Sequence, residues 1–302
     1  MFDLRKYWPL WGLAALSMLA LAGVSTWQFK RFNRRKPRAP EKSHAKALVS
    51  AHRGGVGANV GLENTREGLE AALALDCEYV EFDVQRLGDG FLVISHDDKL
   101  VIEGVEHRLE DLDRAKFEQY ASNSLAYEEA LSLLAGEKRA HIDLKFCSPS
   151  DLRVNCDECW EVQAAQMAFE ILGEGNFILT TVEDVSVEVL RKWSRRRHPW
   201  LLVGLSLGRG VWGMTVGRAI RQRLSDLFPA RRVRKSGANL IVAKKNLAKL
   251  TLFRFASRRE LPLLVWTVDN STELAYWMLR KQAWMVTTNV PRLAVAIRDA
   301  SE

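Results

Sequence analysis

Ser50 to Asp97 reads SAHRGGVGANVGLENTREGLEAALALDCEYVEFDVQRLGDGFLVISHD, and the fold is decided there. Ala47-Leu48-Val49-Ser50-Ala51 is an apolar run of buried-strand length, with His52 and Arg53 at its end. In Tyr79-Val80-Glu81-Phe82-Asp83-Val84 the carboxylates alternate with apolar residues, so a strand directs both to one face. Asp89-Gly90 is a hairpin signal, followed by the strand-like run Phe91 to Ser95 and then His96-Asp97. If those two residues form the turn, Gly88 pairs with Phe91 and His96 falls opposite Asp83. The spacing thus predicts one histidine and two carboxylates gathered at one point.

Outward from this stretch, strand-like and helix-like segments alternate, the pattern of an α/β fold with a parallel sheet. Apolar strands are expected near 47–51, 78–84, 91–95, 140–145, 177–181, 200–205, 238–242, 263–268 and 284–288. Helices are expected near 65–75, 158–172, 184–196, 244–259, 271–281 and 291–299. Taking 91–95 as an arm folded back on 78–84 leaves eight strands. The expected architecture is therefore a (β/α)8 TIM barrel with a hairpin arm after the second strand. Chemistry in such barrels lies at the C-terminal strand ends, where His52, Glu81 and Asp83 stand. In Ala140-His141-Ile142-Asp143-Leu144-Lys145, alternation directs His141, Asp143 and Lys145 to one face.

These residues resemble the glycerophosphodiester phosphodiesterase family. Its pattern of His-Arg-Gly, Glu-Asn-Thr, Glu-x-Asp, Asp-Gly and His-Asp is met in order. Here these are His52-Arg53-Gly54, Glu63-Asn64-Thr65, Glu81-Phe82-Asp83, Asp89-Gly90 and His96-Asp97. Five short motifs at compatible spacings are specific where one alone is weak. The resemblance covers roughly residues 47 to 298 and implies the same barrel. It further implies Glu81, Asp83 and Asp143 as ligands of one divalent cation, Mg²⁺ or Ca²⁺, which hard oxygens suit. Arg53 and Lys145 would then bear on phosphate, and His52 and His96 divide general-base and general-acid work. Glu63 and Asn64 would line the pocket. The family has Glu-x-Lys where Asp143 stands, while related sphingomyelinase-D-type barrels carry Asp-x-Lys; a structural salt bridge is the other reading of Asp143.

Leu264-Val265-Trp266-Thr267-Val268-Asp269 is similar to the family's Trp-Thr-Val strand, so Trp266 either borders the substrate or packs in the core. Thr287-Thr288-Asn289-Val290-Pro291 is similar to its closing turn, with Asn289 expected as N-cap of the last helix and Pro291 in its first turn. The implied activity is metal-dependent hydrolysis of a glycerophosphodiester or lysophospholipid to an alcohol and a glycerol phosphate. The competing class is a catalytically inactive, membrane-tethered phosphodiester-binding protein on the same fold. Retention of both histidines, Arg53, Lys145 and three carboxylates argues for the enzyme.

Upstream, residues 8–29 of the 302-residue chain carry no charged side chain, and as a helix would span about 33 Å. Trp8, Trp11 and Trp27 stand near the ends of the run, as at a membrane interface. Ala20-Leu21-Ala22 before Gly23 also fits a cleaved signal peptide. Apolar sequence beyond Gly23 and the basic block after it favour an uncleaved single-pass transmembrane helix. Lys30, Arg31, Arg34, Arg35, Lys36 and Arg38 place the following domain in the cytoplasm by the positive-inside rule. Pro37 and Pro40 mark a linker, giving residues 1–45 as anchor and linker and 46–302 as the barrel domain.

The net charge of +7 suits an anionic membrane surface, and no nucleic-acid motif accompanies it. Part of the surplus lies in 206–236, an insertion without a barrel strand, where Arg218, Arg221, Arg223, Arg231, Arg232, Arg234 and Lys235 interleave with Trp212, Met214, Val216, Ile220, Leu224, Leu227 and Phe228. That mixture is expected to lie on a membrane, or to be a solvated loop. Cys156-Asp157-Glu158-Cys159 has redox or zinc spacing but lacks two further obvious ligands, so free thiols are expected.

Overall fold

Eight parallel strands close into a barrel in the computed structural model, which describes residues 46–300 except 122, 212 and 282. They are β1 (Leu48–Ala51), β2 (Tyr79–Arg86), β6 (Arg139–Leu144), β7 (Phe177–Thr181), β8 (Val203–Leu207), β9 (Leu240–Lys244), β10 (Leu263–Trp266) and β11 (Met285–Thr288). Neighbours follow that order, and pairing of β1 with both β2 and β11 shuts the ring. The expected barrel is present. The expectation for residues 8–29 lies outside the described residues, among which no helix is long and apolar enough to cross a membrane.

Period-two alternation sorts each strand between helices and barrel interior. On β2, Val80, Phe82 and Val84 are fully buried against the helical layer. Burial of side chains of this size contributes about 1.5–3 kcal/mol each. On the other face Tyr79 joins Leu48, Ile178, Leu240, Leu264 and Met285 in an apolar plug at the N-terminal end of the interior. Above the plug the interior turns polar: Ser50, Glu81, His141 and Thr180, then Asp83 and Asp143, which pair side by side across β2 and β6. Gly204 keeps this interior open on β8, since a Cβ there would stand 2.6 Å from Val242 Cγ2.

The arm after β2 departs from the expected register. β3 (Leu92–Ile94) pairs antiparallel with β2, Val84 facing Ile94 and Arg86 facing Leu92. The loop holds three residues, Gly88-Asp89-Gly90, because Leu87 N–H donates to Phe91 O at 2.9 Å and Gly90 takes φ +96°. Gly88 N–H is drawn instead to Leu112 O, and Asp89 accepts from the Phe91 and Arg114 amides. The register slips by one residue, so Ser95 and not His96 lies across from Asp83, with Ser95 N–H donating to Asp83 O at 3.1 Å. Beyond it β4 (Lys99–Ile102) and β5 (Val105–Arg108) form a separate exposed hairpin. Leu87, Val93, Ile102, Leu109, Leu112 and Phe117 give this arm its own small core.

Candidate active site

His52 leaves the end of β1 in a tight turn that Gly54 makes possible. Its φ is +90°, and a Cβ there would meet the Gly68 carbonyl at 2.9 Å. Arg53 and Asn64 also adopt left-handed backbone, φ +48° and +56°, at about 1–2 kcal/mol each. Both are fixed by the same carboxylate. Asn64 Nδ2 donates to Asp83 Oδ2 at 2.9 Å while Asp83 N–H donates to Asn64 Oδ1 at 3.1 Å. Arg53 Nε lies 3.0 Å from Asp83 Oδ2, and its Nη1 donates to Glu63 at 2.7 Å.

Three carboxylates converge here. Glu81, Asp83 and Asp143 each offer an oxygen, and the three oxygens lie within 4.8 Å of one another. Burial, with the negative charges of Asp83 and Asp143 adding to it, raises Glu81 well above the usual carboxylate range. Its hydrogen bond from Arg53 N–H at 2.8 Å offsets this only partly. Burial also works against the Asp83 charge, yet Lys145 and Arg53 outweigh it and hold that carboxyl below its usual value. Lys145 Nζ stands 2.8 Å from Asp83 Oδ1 and also donates to Asp143 Oδ2. Burial opposes the ammonium, but Asp143 and Asp83 raise its pKa above the ordinary value. The salt-bridge reading of Asp143 is thus realised alongside its place in the cluster.

These residues fit a hard divalent cation. Three oxygens share one small volume, and Glu81 is a buried carboxylate whose charge the protein leaves undercompensated, a deficit a cation would fill.

Beneath the cluster a chain of hydrogen bonds settles the state of His141. Thr180 Oγ1–H donates to Asp143 Oδ1 at 2.6 Å, so Thr180 Oγ1 in turn accepts from His141 Nε2–H at 3.1 Å. His141 Nδ1 then accepts from Ser50 Oγ–H at 3.1 Å. Burial pushes this imidazole down to about 3, so it is neutral. His141 supports Asp143 and stands clear of the open mouth.

The two expected catalytic histidines are held differently. His52 Nδ1 donates to Asn289 Oδ1 at 2.7 Å, and Asn289 in turn donates its backbone N–H and Nδ2–H to Asp269, at 2.8 and 3.0 Å. Because Nδ2 is committed to Asp269, Oδ1 must be the acceptor, which places the proton on His52 Nδ1. Nε2 is left with its lone pair, 4.0 Å from Glu81. Burial lowers the His52 pKa, partly countered by the Asn289 bond. His96 sits on the arm with its Nδ1 against Asp97 Oδ1 at 2.7 Å. Its side chain is 46% exposed against 18% for His52. Gln85 Nε2–H donates to its backbone carbonyl at 3.3 Å. His96 nonetheless lines a cavity of about 430 Å³ together with Arg53, Glu63, Asn64, Leu100 and Tyr120.

Asn289 is a correction. The last helix, Pro291–Asp299, takes Val290 as its N-cap, with Pro291 at its start as expected. The Asn289 side chain is spent on His52 and Asp269. Neither it nor Asp269, Thr180 and His141 was assigned to the site from sequence, although the Thr-Asn-x-Pro and Trp-Thr-Val-Asp runs pointed to the first two. Trp266 is half-buried on the apolar plug, its indole N–H without a partner among the described residues. All four cysteines are free.

The model of the glycerophosphoryl diester phosphodiesterase family matches residues 52–293. The chain belongs to that family, whose members hydrolyse phosphodiesters, and it is a phosphodiesterase. A glycerophosphodiester phosphodiesterase from Parabacteroides distasonis superposes with a TM-score of 0.64 at 16% identity, over 84% of this chain and 98% of that one. A phosphodiesterase from Oleispira antarctica, solved with the product sn-glycerol-3-phosphate, gives 0.59 at 16%, over 84% and 97%. Mouse lysophospholipase D GDPD3 is 46% identical over 52 residues, which span 17% of this chain and 15% of that protein.

Proposed function

We propose that the protein is a metal-dependent glycerophosphodiesterase that also accepts lysophospholipids, working by two-histidine acid–base catalysis at a membrane. One observation carries the reading: three carboxylates share one small volume at the barrel mouth beside a neutral imidazole whose Nε2 lone pair faces them. Glu81, Asp83 and Asp143 would hold Mg²⁺ or Ca²⁺, which when bound supplies charge neutralisation at a phosphate oxygen.

His52 is the base in this scheme. Its Nε2 takes the proton of the attacking hydroxyl as that oxygen bonds to phosphorus and the bond to the departing alcohol breaks. His96, hydrogen-bonded through Nδ1, gives that alcohol its proton from Nε2. The attacking group is a neighbouring substrate hydroxyl by analogy with the family, and the resulting cyclic phosphate opens on attack by water with the proton roles reversed. Arg53 has an Nη2 group without a protein acceptor among the described residues, suited to a phosphate oxygen, and Lys145 adds its charge beside it.

Substrate range and place follow from other features. The local match to a lysophospholipase D favours a substrate bearing an acyl chain. Residues 8–29 would hold the domain to the membrane, with the barrel in the cytoplasm. Turnover of glycerophosphocholine, glycerophosphoethanolamine and lysophosphatidylcholine, with and without EDTA, tests the activity. Indifference to the chelator would remove the metal from the scheme. A reporter fused after Glu302 that works only outside the cytoplasm would reverse the orientation.

A further inference from the structure

The connection from β8 to β9 carries a helix, Val216–Leu227, that turns an apolar stripe to solvent. Val216, Ile220, Leu224 and, just beyond the helix, Phe228 recur every four residues, and each is more than half exposed. At 100° per residue such spacing advances about 40° a step, making a stripe about 120° wide. Leu250, in the segment after β9, is equally exposed beside the same helix. Arg221 borders the stripe and Arg218 lies one turn before it; both are exposed, and neither has an acidic partner among the described residues.

The opposite face is locked, so the stripe cannot roll inward. Asp226 is fully buried, accepting from Arg232 Nη1 at 2.7 Å and from Gln222 Nε2 at 2.9 Å. Arg232 also pairs with Asp184, and Arg223 Nη1 donates to Arg209 O at 3.0 Å. Arg209 and Asp184 stand just beyond the C-terminal ends of β8 and β7. The helix is therefore fastened to the barrel rim that carries His52, Glu81, Asp83 and Asp143, across the mouth from the β3 arm.

We propose that the face formed by Val216, Ile220, Leu224, Phe228 and Leu250, with Arg218 and Arg221, docks on an anionic lipid bilayer and turns the barrel mouth toward it. Five partly exposed aliphatic and aromatic side chains offer less than the about 800 Å² per partner of a stable protein interface. An apolar strip bordered by Arg221 and flanked by the exposed Arg218, neither with an acidic partner among the described residues, instead matches an interface of acyl chains under negative headgroups. Docking there would present lipid-borne diesters to the rim without a free-solution step, an advantage that rests on the lysophospholipid reading above. The chain from 30 to 45 reaches at most about 55 Å when extended, so an anchor at 8–29 leaves room for this orientation.

The test uses the full chain reconstituted in phosphatidylcholine vesicles with or without phosphatidylglycerol, and in neutral detergent. Amide hydrogen exchange over 216–228 should slow about tenfold or more in the anionic vesicles relative to both other conditions. Arg218→Gln with Arg221→Gln, and separately Ile220→Ser with Leu224→Ser, should abolish that protection. At about fivefold in partition for each surface arginine, the double arginine change should lower lysophosphatidylcholine hydrolysis from anionic vesicles up to roughly twenty-fivefold. Hydrolysis of soluble glycerophosphocholine should be unchanged in both variants. Equal exchange in anionic and neutral vesicles would overturn the proposal, as would protection in detergent that grows with protein concentration, which would mark a second copy. A wild-type chain inert toward both substrates would refute the enzymatic reading, while exchange would still decide the docking.

Discussion

His52 and His96 belong to two regions of one mouth, and they are built to different standards of rigidity. His52 stands on the barrel, its turn cornered by Gly54, its Nδ1 held by Asn289 and that amide held by Asp269. His96 stands on an arm with a separate small core, and its only side-chain partner among the described residues, Asp97, is 80% exposed. The barrel side fixes a tautomer before substrate arrives. In the proposed scheme the arm side would leave a proton carrier free to adjust around the bound diester. The three carboxylates lie wholly on the barrel side, so changes there should cost most.

The largest loss is expected at those carboxylates. In the proposed scheme Glu81→Gln or Asp83→Asn would remove a ligand charge worth several kcal/mol in the reaction and should cost at least about 10³-fold in kcat/KM, with the fold intact by circular dichroism. Stability of the metal-free protein gives an independent reading. Glu81 has a raised folded pKa, so its relative stabilisation is present at low pH and is lost as pH rises through that value. Metal-free Glu81→Gln should therefore melt higher than metal-free wild type at neutral pH, and lower than wild type loaded with Mg²⁺ or Ca²⁺. A variant less stable than metal-free wild type would show that the Glu81 charge serves the protein and no cation.

Next come the histidines. His52→Asn and His96→Asn should each lower kcat by about 10²–10⁴-fold with little change in KM, and the double variant should be scarcely worse than the poorer single. Losses that multiply would mean independent roles and dissolve the pairing of barrel and arm. Near-normal turnover of the His96 variant would remove the arm from the chemistry. The acid limb of the rate profile should follow His52. Burial lowers its pKa, so the neutral base persists to lower pH and the rate should fall only below the ordinary histidine value of 6.5.

Asn289 sharpens the same comparison at a smaller scale. Asn289→Ala should cost about tenfold in kcat, since it frees the tautomer but leaves His52 in place. Asn289→Asp puts a negative charge on Nδ1–H, favours the imidazolium and should move the acid limb to higher pH. An unmoved limb would show that His52 does not set it.

Legibility in the sequence divides along the same line. All eight barrel strands announce themselves through apolar runs of strand length, because burial on both faces leaves little freedom in composition. The arm does not. β4 and β5 show no clean alternation, being largely exposed, and helices Arg114–Tyr120 and Tyr127–Leu134 are too short to establish a period. Asp89-Gly90 signals a turn correctly but not its length, which is set by Leu112 and Arg114 drawing Gly88 and Asp89 outward. Glu81 and Asp83 are legible because strand spacing puts both on one face, while Asp143 is joined to them in the sequence only through the family resemblance. Asn289 is not, since its partner His52 lies 237 residues away and only barrel closure brings them together. Lys145 is legible as a charge on the site face, while its bridging of Asp83 and Asp143 depends on the lateral pairing of β2 and β6.

The smallest expected effect falls on the arm, at Asp97. Its bond to His96 Nδ1 is 2.7 Å long but lies in solvent, where such pairs are worth about 0.2–1 kcal/mol. Asp97→Asn keeps an oxygen able to accept from Nδ1–H and removes only the charge. The cost in kcat should therefore be about two- to fivefold, and it should shrink further in high salt, where exposed charges are screened. Asn289→Ala, tested beside it, should lose more and respond little to salt because its bond to His52 joins two uncharged groups and is half-buried. A loss in Asp97→Asn as large as in His96→Asn would mean that Asp97 orients the arm histidine as firmly as Asn289 orients His52. The contrast between a rigid base and an adjustable acid would then fail. A loss within twofold, with salt leaving wild type and variant alike, would show that substrate and not Asp97 positions His96.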